Sequence, residues 1–254
     1  MKVVILAGGR GTRLSEETST IPKPMVAIGG RPILWHIMSH YASYGHRDFV
    51  VALGYKGYVI KEYFANYLMH QSDLHVDLGN GTVEFISRPS VDWRVTLVDT
   101  GLDTMTGGRL ARLAPMLDEP FMLTYGDGVS DVNLDALVAR HRESHALVTV
   151  TGVRPAPRFG SLGLDGGMVT EFREKPVDSH DRINGGFFVI EPPFLERLGD
   201  DDCILEREPL SSLAGEGQLA VHLHDGFWKP MDTIRDRDEL IALWDSGEAP
   251  WATS

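Results

Sequence analysis

A doubly wound α/β fold, with a mostly parallel mixed sheet flanked by helices, is what this sequence predicts, and three observations carry that reading. Short apolar runs alternate with stretches of helical periodicity, which is how strands joined by crossover helices present themselves. The first run stops at a glycine-rich turn, Gly8-Gly9-Arg10-Gly11. No internal repeat or low-complexity linker breaks the 254 residues, whose 43% hydrophobic content is enough for one large core.

In chain order, Lys2–Ala7 is the first strand, an apolar run leading straight into the glycines. Pro32–Ser43 then places Ile33, Leu34, Ile37, Met38 and Tyr41 on one helical face. Asp48–Leu53 is the second strand. From Tyr55 to Tyr67 aromatics are dense, and the interleaved Lys56, Lys61 and Glu62 favour a core-facing or subunit-facing helix over a membrane-facing one. The polar stretch from about 69 to 93 carries Gly79-Asn80-Gly81 and reads as a small β excursion, a hairpin used for subunit contacts. Strands follow at Val95–Asp99 and Phe121–Tyr125, a helix with Leu134, Leu137 and Val138 on one face begins after Asn133, and further strands are Leu147–Val153, Gly186–Ile190 and Leu219–His224. Asp178–Asp181 and Asp200–Asp202 read as solvated turns rather than boundaries, so residues 1–254 are expected to form one principal domain with a Rossmann-like sheet. Such sheets hold ligands beyond the carboxyl ends of their strands, so the loops after Ala7, Asp99 and Tyr125 should meet in one crevice.

The first of those loops is suited to phosphate. Glycines 8, 9 and 11 let the backbone approach an anion and turn successive N–H groups toward it, while Arg10, Arg13 and Lys23 supply positive charge. Two common cradles are excluded by spacing: a P-loop ends in Gly-Lys-Ser/Thr, and the dinucleotide fingerprint is Gly-x-Gly-x-x-Gly, and neither occurs here. The formal charge of −12 argues against a nucleic-acid partner, because binding a polyanion depends on clustered basic residues. The one cysteine, Cys203, has no internal partner for a disulfide, and no histidine and cysteine cluster has zinc spacing. No stretch approaches the roughly 20 apolar residues of a membrane span, and the N-terminal run lacks a cleavage-site pattern. These features point to a cytoplasmic protein without a membrane partner.

The segment 6–14 (LAGGRGTRL), followed by 22–25 (PKPM), resembles the signature of the sugar-1-phosphate nucleotidylyltransferases. The likeness continues through 104–109 (TMTGGR), 125–131 (YGDGVSD), 158–160 (RFG), 174–176 (EKP), 183–188 (INGGFF) and 228–233 (WKPMDT), in the order and at about the spacing of the cytidylyl branch, and runs from Met1 to about Trp251. Related uridylyl- and thymidylyltransferases are expected to carry a Gly-x-Ala-type segment where this chain has Thr104-Met-Thr-Gly-Gly-Arg109.

The resemblance implies CTP and glucose 1-phosphate as substrates, Mg²⁺ as cofactor, CDP-glucose and diphosphate as products, and a homo-oligomer, with a hexamer as the candidate assembly. It implies nucleotide contacts at Leu6, Ala7, Gly8, Gly9, Arg10, Gly11, Thr12, Arg13, Lys23, Thr104, Arg109 and Gly128. Among these, Arg13 would neutralise the departing pyrophosphate and Lys23 the charge around the transferred phosphoryl group; solvent-facing solubility is the plainer role for both. Glu174, Lys175, Asn184 and Gly185 would hold the sugar phosphate, or Glu174 and Lys175 form a solvated charge pair. Asp127 and Asp232 would bind the metal, since Mg²⁺ prefers oxygen ligands. By local sequence alone, Asp127 equally suits an Asp-Gly turn and Asp232 a helix cap before Thr233. A sugar phosphate dianion is already a nucleophile, so no general base is needed. The alternatives are a UTP- or dTTP-dependent sugar nucleotidylyltransferase and a catalytically silent sugar-nucleotide-binding subunit.

Overall fold

The computed structural model describes residues 1–11, 14, 18–155, 161–165, 168–173 and 182–252. Its centre is a seven-stranded sheet. In chain order the strands are β1 (Val3–Leu6), β4 (Asp48–Leu53), β7 (Arg94–Asp99), β8 (Phe121–Tyr125), β10 (Val148–Val153), β13 (Ile183–Ile190) and β14 (Leu219–His224), and in space they run β14-β10-β13-β8-β1-β4-β7. Beside this sheet lie the short pairs β2 (Ala27–Ile28) with β3 (Arg31–Pro32), β5 (Leu74–Asp77) with β6 (Thr82–Phe85), β11 (Ser161–Asp165) with β12 (Met168–Arg173), and β9 (Gly128–Ser130) with β15 (Trp228–Pro230). Within the large sheet, β13 runs antiparallel to both of its neighbours and the other pairings are parallel.

Burial follows from strand alternation. All four residues of β1 are buried, with Val3 and Ile5 packed against one core cluster and Val4 and Leu6 against the other. On the first side lies helix α1 (Ile33–Ser43), whose Ile33, Leu34, Ile37, Met38 and Tyr41 are all buried, as their i, i+3, i+4 spacing requires. Leu34 and Tyr41 share that cluster with Trp251 near the C-terminus. The opposite side holds α4 (Thr106–Leu113), placed after α2 (Gly57–Ala65) and α3 (Tyr67–Gln71), and burying Leu110 and Leu113 against Phe121, Leu123 and Phe188. Helix α5 (Leu134–Ser144) starts where expected: the Asn133 side chain accepts from Ala136 N at 2.9 Å, a cap worth about 1 kcal/mol. Helices α6 (Glu208–Gly215) and α7 (Ile234–Asp245) complete the layers. No helix among the described residues is long and apolar enough to cross a membrane.

Strand β13 begins at Ile183, three residues before the sequence expectation of Gly186. Asn184-Gly185-Gly186 breaks the apolar pattern because the ladder itself is irregular there: register with β10 shifts between Val150 and Gly152, and Gly186 has φ +79°. The excursion expected at about 69–93 is the β5–β6 hairpin, its turn held by the Asp77 carboxylate, which accepts from Gly79 N, Asn80 N and Asn80 Nδ2. Leu78 at its tip is 90% exposed.

Candidate active site

Strand order reverses beside β1: the chain moves outward through β4 and β7, then returns to pair β8 against the other edge of β1. A crevice of about 380 Å³ opens beyond the carboxyl ends of β1 and β8 at that reversal. The loops after Ala7 and Tyr125 line it, as the sequence predicts, together with Thr104, Met105, Thr106 and Arg109 beyond the end of β7.

The loop after β1 is braced from beneath. Arg109, 5% exposed, donates from Nη1 to Leu53 O, Thr100 Oγ1 and Gly101 O at 2.9, 2.8 and 2.7 Å, and from Nη2 to Gly8 O at 3.1 Å and Leu102 O at 3.3 Å. One planar cation thus ties the phosphate loop to the ends of β4 and β7. A Cβ on Gly8 would lie 2.2 Å from Nη1, and one on Gly54 would lie 2.6 Å from both Nη1 and Gly8 O. Burial lowers the guanidinium pKa. The resemblance implies a nucleotide contact for Arg109; the side chain reaches the crevice wall, but its terminal nitrogens serve these acceptors within the protein.

A second pair of glycines has a similar explanation. Gly107 N and Gly108 N donate to Cys203 O at 2.9 and 3.1 Å, so the 200–205 segment covers the first turn of α4. A Cβ on Gly107 would meet Cys203 Sγ at 2.5 Å, and one on Gly108 would meet Asp200 O at 2.7 Å.

Lys23 opens a single 3₁₀ turn, Lys23–Met25, flanked by Pro22 and Pro24. The side chain is buried and its Nζ donates to Asp127 Oδ2 at 2.7 Å and Asp232 Oδ1 at 2.8 Å. Burial opposes the charge, but Asp127 and Asp232 together outweigh it and hold the ammonium above its ordinary range.

The two carboxylates reach one ammonium through a device that sequence reasoning missed. Strands β9 and β15 pair antiparallel, with Gly128 opposite Pro230 and Ser130 opposite Trp228, and Met231 N donates to Asp127 O at 2.8 Å. Asp127 leads into one strand and Asp232 follows the other, so the ladder sets both. At its far end Ser130 Oγ donates to Phe227 O at 2.6 Å, and His224 Nε2 lies 3.1 Å from Asp131 Oδ1. Asp127 does sit in the two-residue turn between β8 and β9, whereas the cap of α7 is Thr233, paired reciprocally with Asp236. The helix-cap alternative for Asp232 is therefore taken by its neighbour.

Among the described residues, no group of three or more histidine, cysteine, aspartate or glutamate side chains gathers into a metal cage. Two carboxylates converging beside a crevice do fit Mg²⁺, which commonly takes one or two from the protein and completes its shell with water and phosphate.

Of the other expected contacts, Leu6, Ala7, Gly8, Gly9, Gly11 and Thr104 line the crevice. Arg10 does not; it pairs with Asp103 at 2.6 Å on the exposed rim. Gly128 is also outside the lining, being the first residue of β9. Asn184 and Gly185 are not part of the lining either: Asn184, exposed, donates from Nδ2 to the Tyr125 hydroxyl at 3.3 Å, and Gly185 O accepts from Trp228 Nε1 at 2.7 Å. Thr12, Arg13, Glu174 and Lys175 lie outside the described residues, as does the Asp178–Asp181 turn. Tyr125 and Thr106 also line the crevice, lying within the 125–131 and 104–109 motifs, although the resemblance implies no contact for either.

The family model described as Nucleotidyl transferase matches residues 2–213. The chain is 51% identical over 255 residues to glucose-1-phosphate cytidylyltransferase of Salmonella typhi, covering 100% of this chain and 99% of that protein. It is 45% identical over 253 residues to the probable glucose-1-phosphate cytidylyltransferase of Bacillus subtilis (strain 168), covering 99% of each. Among solved structures, HddC from Yersinia pseudotuberculosis aligns with a TM-score of 0.70 at 22% identity, over 96% of this chain and 99% of that one, a likeness of fold.

Proposed function

The chain belongs to the nucleotidyl transferase family, and from that premise we propose that it catalyses CTP + α-D-glucose 1-phosphate → CDP-glucose + diphosphate. The observation that carries the catalytic part is the meeting of Lys23 with Asp127 and Asp232 at a crevice placed on the strand-order reversal. Full-length identity to cytidylyltransferases supports the choice of base and sugar.

A phosphate oxygen of the sugar phosphate attacks the α-phosphorus of CTP, forming one P–O bond as the bond to the β-phosphate oxygen breaks. The electron pair leaves with pyrophosphate. The work of the protein is positioning and charge neutralisation. Backbone N–H groups of the Gly8–Gly11 loop approach the triphosphate, with Arg109 fixing that loop from below. Lys23 holds positive charge beside the transferred phosphoryl group. Asp127 and Asp232 would hold Mg²⁺, which supplies further neutralisation of phosphate charge when bound. Arg13 is assigned to the departing pyrophosphate, and Glu174, Lys175, Asn184 and Gly185 to the sugar phosphate.

The enzyme works in the cytoplasm as a homo-oligomer, with a hexamer as the candidate, and the β5–β6 hairpin, whose Leu78 and Val83 are exposed, provides subunit contact. Its product enters dideoxysugar formation for surface polysaccharide. Pyrophosphate release with glucose 1-phosphate and Mg²⁺, compared for CTP, UTP, dTTP and ATP, tests the reaction. Sugar-dependent preference for CTP is expected; preference for UTP or dTTP transfers the site to another base, and nucleotide binding without release leaves a silent binder.

A further inference from the structure

We infer that Glu206 is a positioning residue for the sugar phosphate, acting through Tyr125 and Asn184. The proposal rests on the reaction proposed above and deepens it. Four hydrogen bonds in series carry it. Thr106 Oγ1, on the nucleotide side of the crevice, donates to Glu206 Oε2 at 2.7 Å, and the Tyr125 hydroxyl donates to Glu206 Oε1. Asn184 Nδ2 donates to that same hydroxyl at 3.3 Å, and Asn184 Oδ1 accepts from Gly186 N at 2.8 Å.

The direction of each donor fixes the next group. A carboxylate only accepts, so the Tyr125 proton points to Glu206 and leaves the phenol oxygen as acceptor for Asn184. The Asn184 amide is then held at both ends, its oxygen on Gly186 N and its nitrogen on Tyr125. The backbone of Gly186, at φ +79°, packs under the Tyr125 ring, where a Cβ would come within 2.6 Å of ring carbon.

Glu206 is delivered by its own segment, not by chance exposure. Leu205 N donates to Thr106 Oγ1 at 3.0 Å, Met105 N donates to Asp201 O at 2.7 Å, and Cys203 O takes two N–H groups from the start of α4. The carboxylate thus links Thr106 and Tyr125, which line the crevice, to the strand end that carries Asn184. Glu206 is exposed, yet both of its carboxylate oxygens are taken by side chains that line the crevice. The nucleotide contacts are assigned to the loop after β1, Lys23, Thr104, Arg109 and Gly128, and the hydrogen bonds of the Glu206 carboxylate go instead to Thr106 and Tyr125, so the loss of Glu206 should act on the sugar side.

The test compares Glu206→Ala, Glu206→Gln, Tyr125→Phe and the double variant Glu206→Ala/Tyr125→Phe with the wild type. Glu206→Ala should raise KM for glucose 1-phosphate about 10-fold and leave KM for CTP within about twofold, with Glu206→Gln recovering part of the loss through its remaining acceptor. The double variant should be no worse than the more impaired single variant, as one relay demands. Equal rises in both KM values, unchanged KM values, or fully additive losses would overturn the assignment. Because the wild type is assayed alongside, failure of the reaction itself shows as absent wild-type turnover, distinct from a normal wild type with an unsplit Glu206→Ala. Should Glu206→Ala fail to fold, Tyr125→Phe, which removes a single oxygen, carries the same split.

Discussion

Lys23 Nζ stands 2.8 Å from Asp232 Oδ1, joining residues from opposite ends of the chain in one part-buried contact. It depends on the β9–β15 ladder, which brings Asp232 beside Asp127. The same ammonium reaches Asp127 at 2.7 Å. One ammonium between two carboxylates leaves one net negative charge at the crevice, an excess that suits a divalent cation.

Asp232→Ala should cut turnover at least 100-fold, about 2.7 kcal/mol of transition-state stabilisation, and weaken Mg²⁺ dependence, with little change in Tm. The fold should persist because Thr233 and Asp236, not Asp232, cap α7. Steady-state kinetics across a Mg²⁺ titration check this, and near-normal turnover would remove Asp232 from the site.

Lys23 also predicts a specific alkaline weakness. Its folded pKa is raised above the ordinary 10.5, so its contribution to stability is complete below about pH 10.5 and is lost as pH rises through the folded value. Urea midpoints measured from pH 9 to pH 11.5 should therefore fall more steeply for the wild type than for Lys23→Met. Parallel curves would mean that the ion pairs contribute nothing to folding. Turnover by Lys23→Met should be lost at every pH.

The sheet was legible because its strands are continuous apolar runs and α1 has a strict helical stripe; Asp48–Leu53, Phe121–Tyr125 and Leu219–His224 fall at the expected residues. The crevice was legible from the glycine loop and the rule of strand ends. The β9–β15 ladder was not, because three residues are too few for a period and Pro230 argues against a strand. Nor was the work of Arg109: sequence shows an arginine near a phosphate loop, but only packing shows that carbonyl oxygens occupy its fork. Glu206 was not legible either, because its partners Tyr125 and Thr106 are distant in sequence.

Gly54→Ala tests the brace from a residue outside the crevice lining. The added methyl would lie 2.6 Å from both Arg109 Nη1 and Gly8 O, so the guanidinium or the loop must move. We expect weaker CTP binding by about 10-fold and a stability loss of about 1–3 kcal/mol, the range for overpacking. Arg109→Lys should act in the same direction, because an ammonium has three donors for the five acceptors. Calorimetric titration with CTP and denaturant unfolding check both; unchanged CTP affinity in Gly54→Ala would separate the brace from nucleotide binding.

Acid should weaken the fold through two buried histidines. His36 and His40 are 2% and 5% exposed, and their Nε2 atoms lie 2.9 Å from Ile28 O and Val132 O, geometry in which a neutral ring donates to each carbonyl. Burial is the main cause that lowers both pKa values below 6.5, against the opposing pull of those carbonyls. The unfolded chain therefore binds more protons than the folded one just below pH 6.5, and stability must fall as pH drops through that value toward the folded pKa values. Each histidine can contribute a slope of up to about 1.4 kcal/mol per pH unit. Replacement by asparagine, which cannot be protonated, should lower stability at pH 8 by removing ring packing against Trp244 in the case of His36, yet flatten the decline between pH 6.5 and pH 5. Thermal unfolding of the wild type, His36→Asn and His40→Asn across that interval decides the matter: equal slopes in all three would assign the acid sensitivity to other groups.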